Sequence, residues 1–486
     1  MNDFVVSLML LGALSTNAPE GMPFWATANQ FGVMPESNGG LALLRAGTSF
    51  DESRTFQWRW GSSLGVRSDL YGFKPLVDEL YASARWKALR LDMGMIHPDQ
   101  SFMASDPALG TLSVTAGNCM MSGNARTLPG YGITLEPWDI PFTGGRLQLS
   151  GRFGDYSTLG RRYVQGALVH NTAIYVLWHI GDRVTLSAGI DNYTLWAGTS
   201  PEHGVLPHSL TDYFRVLLGL SGGSNAAEGD RINSLGDHRG RELLKAEYRS
   251  DDWTLSLQHD IPYDDRSGMI FRNFPDGFNT LSLSFKDKSR WISDIVYEYH
   301  STMNQSGSCE RRLATEKEIA AGHRLLKDSN TGVYYYIVGG ADNYCNNYEY
   351  RSGWAAYTRQ LGAPLFYSRY YYESDNPAAY SMQGTWNNLF RAHHLGLSGS
   401  LFKRIPYRLV MTYSLNYGCW FDALFNYDKG TRREQPLRQF SAGFSAAVPL
   451  FKGALQLVPG IYCDAGEALA NGVSASLSIR YLFKKP

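Results

Sequence analysis

The sequence predicts an all-β chain: a transmembrane antiparallel β-barrel of about eighteen strands, with long loops at one end and short turns at the other. Three observations predict it. Apolar and polar residues alternate with period two in one segment after another. The polar faces of those segments are rich in Ser, Gly and Arg, with no second apolar layer to pack on. The connections are either very short or long and polar.

Taken in chain order, the first element is Phe4 to Leu14, an apolar run followed by Thr16-Asn17-Ala18. It has two readings. One is an atypical secretory signal, since no basic residue precedes Arg45; the other is a first strand. Residues 1–22 are therefore set apart as an N-terminal segment, and 23–486 as a single barrel domain. Next, Phe56, Trp58, Trp60, Leu64 and Val66 alternate with Gln57, Arg59, Gly61, Ser63, Gly65 and Arg67. A strand sends successive side chains to opposite faces, so this is an apolar wall backed by a polar one. The pattern returns at Trp253 to Gln258, at Leu281 to Lys286, at Leu409 to Tyr417, and most regularly at Val473 to Phe483.

Lys87-Ala88, Gly181-Asp182, Asp251-Asp252, Lys286 to Ser289, Lys403 to Pro406 and Pro449 to Lys452 read as tight turns. Long loops are expected at roughly 97–144, 193–211, 222–239, 261–277, 301–349, 373–388 and 418–437, with a short helix in Arg311 to Lys327. Tyr297, Tyr299, Tyr413, Tyr417 and Trp420 fall near strand ends, as in an interfacial girdle. In lipid every backbone N–H and C=O must be paired within the protein, so the sheet has to close.

Composition limits the function. Lys plus Arg and Asp plus Glu both total 45 in 486 residues, which removes the electrostatic motive for binding nucleic acid. No run of eighteen apolar residues occurs, and mean hydropathy is −0.27, so no transmembrane helix is expected. Alternating strands average out on such a scale. The five cysteines form no CxxC; Cys309 and Cys345 flank one long loop and could close it, or remain free thiols. There is no GxSxG, HExxH or P-loop, so no enzyme, metal site or cofactor is expected.

The candidate ligand residues lie in the loops. Tyr334 to Tyr350 is tyrosine-rich, with Asp342, Asn343, Tyr344, Asn346 and Asn347 in its second half and Trp354 just beyond. Aromatic faces with interspersed amides suit a glycan; the alternative is a girdle strand of the barrel. Asp264 and Asp265 are adjacent in a loop, where both could reach Ca²⁺ or sugar hydroxyls, or simply be solvated. Strand parity points His393 outward and His394 into the lumen, so they cannot share a metal. His394 then bonds lumen residues or sugar. Asp294, Glu298 and His300 share the inward parity and are expected to pair with lumen arginines such as Arg59, Arg67 and Arg480.

Several strings carry a family resemblance. They are Pro23-Phe24-Trp25 with Ala28 to Gly32, Ser122 to Arg126 before Pro129, Tyr297-Glu298-Tyr299 with Gln305 to Gly307, Asp342 to Tyr344 with Asn346-Asn347 and Gly353-Trp354, and Arg391 to Gly399. In this order they resemble the Wzi-like capsule-assembly proteins of the Bacteroidetes. The resemblance implies an outer-membrane barrel of about eighteen strands that holds or assembles capsular or exopolysaccharide without enzymatic activity, its wall in contact with outer-membrane lipid. The enterobacterial member of that family carries an N-terminal helical plug. Nothing helical precedes Pro23 here, so any plug is expected from a long loop. A porin-like diffusion or export channel is the alternative function.

Overall fold

The computed structural model describes residues 4–17, 21–70, 72–160, 162–232, 234–264, 271–306, 310–321, 325–328, 331–338, 342–357, 359–368, 384–419 and 434–483. Eighteen antiparallel strands form one closed sheet. They are β1 (Phe4–Ser15), β2 (Gly39–Thr48), β3 (Phe56–Asp69), β4 (Gly72–Trp86), β5 (Leu89–Met95), β6 (Gly130–Asp139), β7 (Leu147–Ser157), β8 (Leu168–Ile180), β9 (Val184–Trp196), β10 (Asp237–Arg249), β11 (Trp253–Asp264), β12 (Gly277–Phe285), β13 (Asp294–Ser301), β14 (Leu389–Leu401), β15 (Ile405–Gly418), β16 (Leu437–Ala446, continued by Val448–Leu450), β17 (Leu455–Gly466) and β18 (Gly472–Leu482). Each pairs with its neighbours in sequence. β1 pairs with both β2 and β18, from Ser7 opposite Leu482 to Ser15 opposite Ser474, and this closes the wall. Phe4 to Ser15 is thus a barrel strand.

Side-chain parity sets inside and outside. On β18 Val473, Leu477, Ile479 and Tyr481 are exposed on the outer face, whereas Ser474 and Ser478 are buried inside. β3, β11 and β15 follow the parity read from their sequences, with Trp58, Leu257 and Tyr413 outside and Gln57, Ser256 and Thr412 inside. No helix among the described residues is long and apolar enough to cross a membrane. The outer apolar belt, the aromatic residues along its edges and the closed ladder are those of an outer-membrane barrel, with tight turns on the periplasmic side and long loops outside.

Three elements depart from expectation. The expected loops 193–211 and 222–239 are one connection between β9 and β10, with a helix at Leu210–Leu218 and no wall strand between them. The segment 97–144 was expected to be one loop, yet it contains β6. Gly130, Gly132 and Pro137, with a register shift between Leu135 and Trp138, mask its period. In the predicted helical stretch a helix covers Glu316–Ala321, but short strands Glu310–Leu313, Leu325–Lys327 and Tyr334–Val338 surround it as a separate three-stranded sheet. Tyr334 to Tyr336 therefore belong to a loop sheet, outside the barrel wall. Trp420 lies outside the described residues.

An eighteen-stranded wall encloses more space than its own side chains fill. Here three connections fold into it and plug it. The first, between β1 and β2, carries a short helix, α1 (Phe24–Thr27). The second is 96–129, between β5 and β6. The third is the 342–367 part of the β13–β14 connection. Together they supply most of the largest buried cluster, including Trp25, Val114, Met120, Tyr344, Trp354 and Phe366.

Hydrogen bonds tie this plug to the wall. Trp25 Nε1 donates to Thr412 Oγ1 at 3.0 Å, and Phe24 N to Asp464 Oδ2 at 2.9 Å. Glu298 accepts from Ser113 Oγ at 2.5 Å and Val114 N at 2.7 Å. Arg408 Nε donates to Thr111 O at 2.7 Å, and Asn118 Nδ2 to Asp191 Oδ2 at 2.8 Å. At Gly396 the plug touches the wall backbone, where an added Cβ would sit 2.2 Å from Leu112 O.

Candidate functional site

Of the polar residues expected to brace the wall, Glu298 and Arg67 reach the plug, while Asp294 and Arg59 contact the wall and its turns. Besides its plug contacts, Glu298 lies 3.4 Å from His300, and Asp294 binds Lys288, Ser284 and Ser398. Arg67 donates to Gly32 O and Met34 O of the plug, both at 3.3 Å, and Arg59 stacks on Phe50 and Tyr81. The expected pairing of Asp294, Glu298 and His300 with Arg59, Arg67 and Arg480 is not formed. Parity reports which way a side chain points, and the plug meets it first.

The histidine pair follows parity. His393 is outside, bonded to Tyr297 OH at 2.8 Å. His394 is buried inside, between Thr412 Oγ1 at 2.9 Å and Leu112 O at 2.7 Å, with its ring 5.0 Å from that of Trp25.

The loop candidates come together beneath the outer surface. Asp342 Oδ2 accepts from Asn273 Nδ2 at 2.6 Å and from Asp264 N at 3.2 Å, while Asp264 Oδ2 accepts from Cys345 N at 3.1 Å. Tyr344 OH donates to Asp276 Oδ2 at 3.0 Å. Asn343 Oδ1 accepts from Asn388 Nδ2 at 2.6 Å and from Asn346 Nδ2 at 3.1 Å; Asn346 also spans Thr385 N and O. Asn347 Oδ1 accepts from Glu349 N and Tyr350 N and shapes a turn. Trp354 is 0% exposed and donates Nε1 to Met120 O at 2.7 Å.

Tyr344 and Trp354 therefore offer no ring face to a ligand in this arrangement, and the amides bond within the protein. Asp265 and Cys309 lie outside the described residues. The Cys345 thiol is buried, and burial pushes it up. Burial also raises the Asp276 carboxyl to about 6, despite its donors Asn304 N and Gln305 N at 2.8 Å and Tyr344 OH.

What faces outward is a small platform above this layer. Tyr348 is 49% exposed. The Arg351 guanidinium lies 4.6 Å over the Tyr163 ring and 5.3 Å over Tyr348, and it pairs with Glu202. His203 Nε2 lies 3.2 Å from Glu349 Oε2 beside it. A half-open aromatic ring, flanked by a guanidinium, carboxylates and an imidazole, can stack on a sugar ring and bond its hydroxyls. Tyr348 stood within the segment singled out by its tyrosines. Glu202 and His203 come from the β9–β10 connection, and nothing local in sequence links the two loops.

One group among the described residues could hold a metal: Asp78, Glu79 and His97, with ligand atoms within 4.8 Å of one another. A β-bulge makes it. Ser63 pairs with Glu79 and Leu64 with Val77, so Asp78 is extra and both acids face inward. Asp78 is already engaged by His97 at 2.6 Å, Ser63 at 2.8 Å and Arg45 at 3.3 Å. It clamps the plug residue His97, whose ring stacks on Phe31 at 3.6 Å.

The fold is similar to that of Wzi from Escherichia coli, an outer membrane protein involved in group 1 capsule assembly and a carbohydrate-binding β-barrel. The TM-score is 0.52 and the identity 10%, over 98% of this chain and 85% of that one. Two Pseudomonas aeruginosa proteins also align: OccK9 (OpdG), at TM-score 0.46 and 10% identity over 99% of this chain and 98% of that one, and OccD3 (OpdP), at 0.45 and 7% over 99% and 91%. No protein-family model and no curated protein matches the sequence.

Proposed function

We propose that this outer-membrane barrel is a non-enzymatic surface anchor that assembles or retains capsular polysaccharide through its outer loops. The observation that carries the reading is the plugged interior. Loop side chains occupy the lumen and hydrogen-bond to its wall, so what the protein offers the cell exterior is a braced loop surface. Tyr348 and Arg351 are its best-placed sugar contacts, and the carbohydrate binding of the structurally similar Wzi points the same way.

The test is capsule staining and fractionation in a deletion strain complemented with the wild-type chain, Tyr348→Ala or Arg351→Ala. Polymer made but shed into the medium, with both variants present in the membrane and defective, is the expected result. Normal coats in the deletion strain would refute the reading.

A second reading is a diffusion or export channel for solutes or glycans. The turn end favours it: there the inward-facing Arg45 is 42% exposed in its side chain and Lys245 29%, as in a wet vestibule below the plug. This reading requires the plug to move.

A further inference from the structure

The β9–β10 connection folds down the outside of the barrel, and its helix carries an apolar line facing away from the wall. On β8 the outward residues Ile174, Val176, Trp178 and Ile180 are all exposed in the lipid belt. His170 has the same parity, four residues nearer the loop end, yet is only 1% exposed. On β9 and β10 the outward-parity Thr194, Trp196 and His238 are likewise buried.

The cover is helix α2 (Leu210–Leu218) and the residues around it. The Tyr213 ring meets His170 edge-on at 5.5 Å and Trp196 at 5.5 Å, and its hydroxyl donates to Asp155 Oδ2 at 2.9 Å. Val216, Ala226 and Leu235 complete a small core on Trp196.

α2 is firmly built. Ser209 and Asp212 form a capping box, and Gly219 at φ +60° closes the C-terminus in the left-handed conformation. With Asp212, Tyr213 and Val216 toward the wall, the opposite side presents Leu210 (73% exposed), Phe214 (51%) and Leu218 (66%). These positions are i, i+4 and i+8, a single line along the helix. His170 lies roughly 13 Å along the strand from Ile174, at about 3.3 Å per residue. α2 thus covers the same outer face of the wall on which Ile174 to Ile180 are exposed, on the loop-end side of them.

We infer that α2 is an interfacial helix whose Leu210–Phe214–Leu218 line rests among the acyl chains of the outer leaflet, widening the barrel's lipid contact on the β8–β10 side. An amphipathic helix at this depth places its apolar side in the acyl boundary and its polar flank, here Thr211 and Arg215, among headgroups. The inference is independent of the polysaccharide reading.

The test places the photocrosslinker p-benzoylphenylalanine at position 214 of the full chain. The protein is reconstituted in asymmetric vesicles with lipopolysaccharide outside and phosphatidylethanolamine inside. The same probe at Ile174 reports the lipid belt, and at Thr331 an exposed loop; heat-dependent migration on gels confirms that each barrel has folded. Lipid adducts at position 214 in at least half the yield seen at Ile174 are expected. Adducts no more abundant than at Thr331, or crosslinks to a second copy of the chain, would overturn the inference.

Discussion

Trp354→Ala separates a structural from a ligand-binding role for the most prominent aromatic in the candidate segment. The indole is fully buried, 5.5 Å from the Tyr193 ring, with the Arg239 guanidinium 5.5 Å from its centre and Nε1 bonded to Met120 O. Removing a tryptophan from such a core costs about 3–5 kcal/mol, of which the hydrogen bond is about 1. The loss falls on the plug, because the wall is held by its own closed ladder. At about 1.4 kcal/mol per factor of ten, opening of the plug rises by roughly two to three and a half orders of magnitude.

Cys119 is the reporter. It is buried in the same cluster, next to Met120, and its carbonyl accepts from Ala363 N at 2.8 Å. Its rate of maleimide modification, read by mass spectrometry in folded protein, is expected to rise by that factor while the barrel still assembles. Unchanged Cys119 reactivity together with lost polysaccharide retention would refute the reasoning and make Trp354 a ligand contact.

Other perturbations test the remaining parts. Gly396→Val drives side-chain atoms into Leu112 O, so it should loosen the plug and raise Cys119 labelling with the barrel intact; unchanged labelling would count against that contact. Leu257→Arg puts a charge on the lipid face of β11 and should cost about 2–4 kcal/mol in urea unfolding from lipid vesicles, whereas no loss would mean this face is not in lipid. Asp276, raised to about 6 by burial against about 3.9 in an unfolded chain, keeps an extra proton in the folded state between those values. Its contribution to stability therefore falls as pH rises through that window. Amide exchange at Asn304 and Gln305, corrected for intrinsic rates, should show stronger protection at the acid end; the opposite trend would reverse the assignment.

The wall was legible in the sequence because period two is a local property. Val473 to Tyr481 and the pair His393–His394 declared their faces without any knowledge of their neighbours. β6 was not legible, since glycines and a proline-containing bulge broke its alternation. The plug could be anticipated only as coming from a long loop. Glu298 meets Ser113 and Trp354 meets Met120 across 185 and 234 residues, and no spacing rule links such pairs. For the same reason, the composition of Tyr334 to Tyr350 drew attention to its segment but not to the division within it. Tyr344 and Tyr350 are buried in the plug while Tyr348 faces outward, a distinction made by the chain's path over the lumen.

The central claim is that the chain's own loops occupy the barrel. Single-channel recording of the purified wild-type protein in planar lipid bilayers addresses it directly. Inserted protein with no steady conducting state is the predicted result, with openings appearing only when the plug is loosened, as in Trp354→Ala. A stable ohmic conductance from the wild-type chain would contradict it.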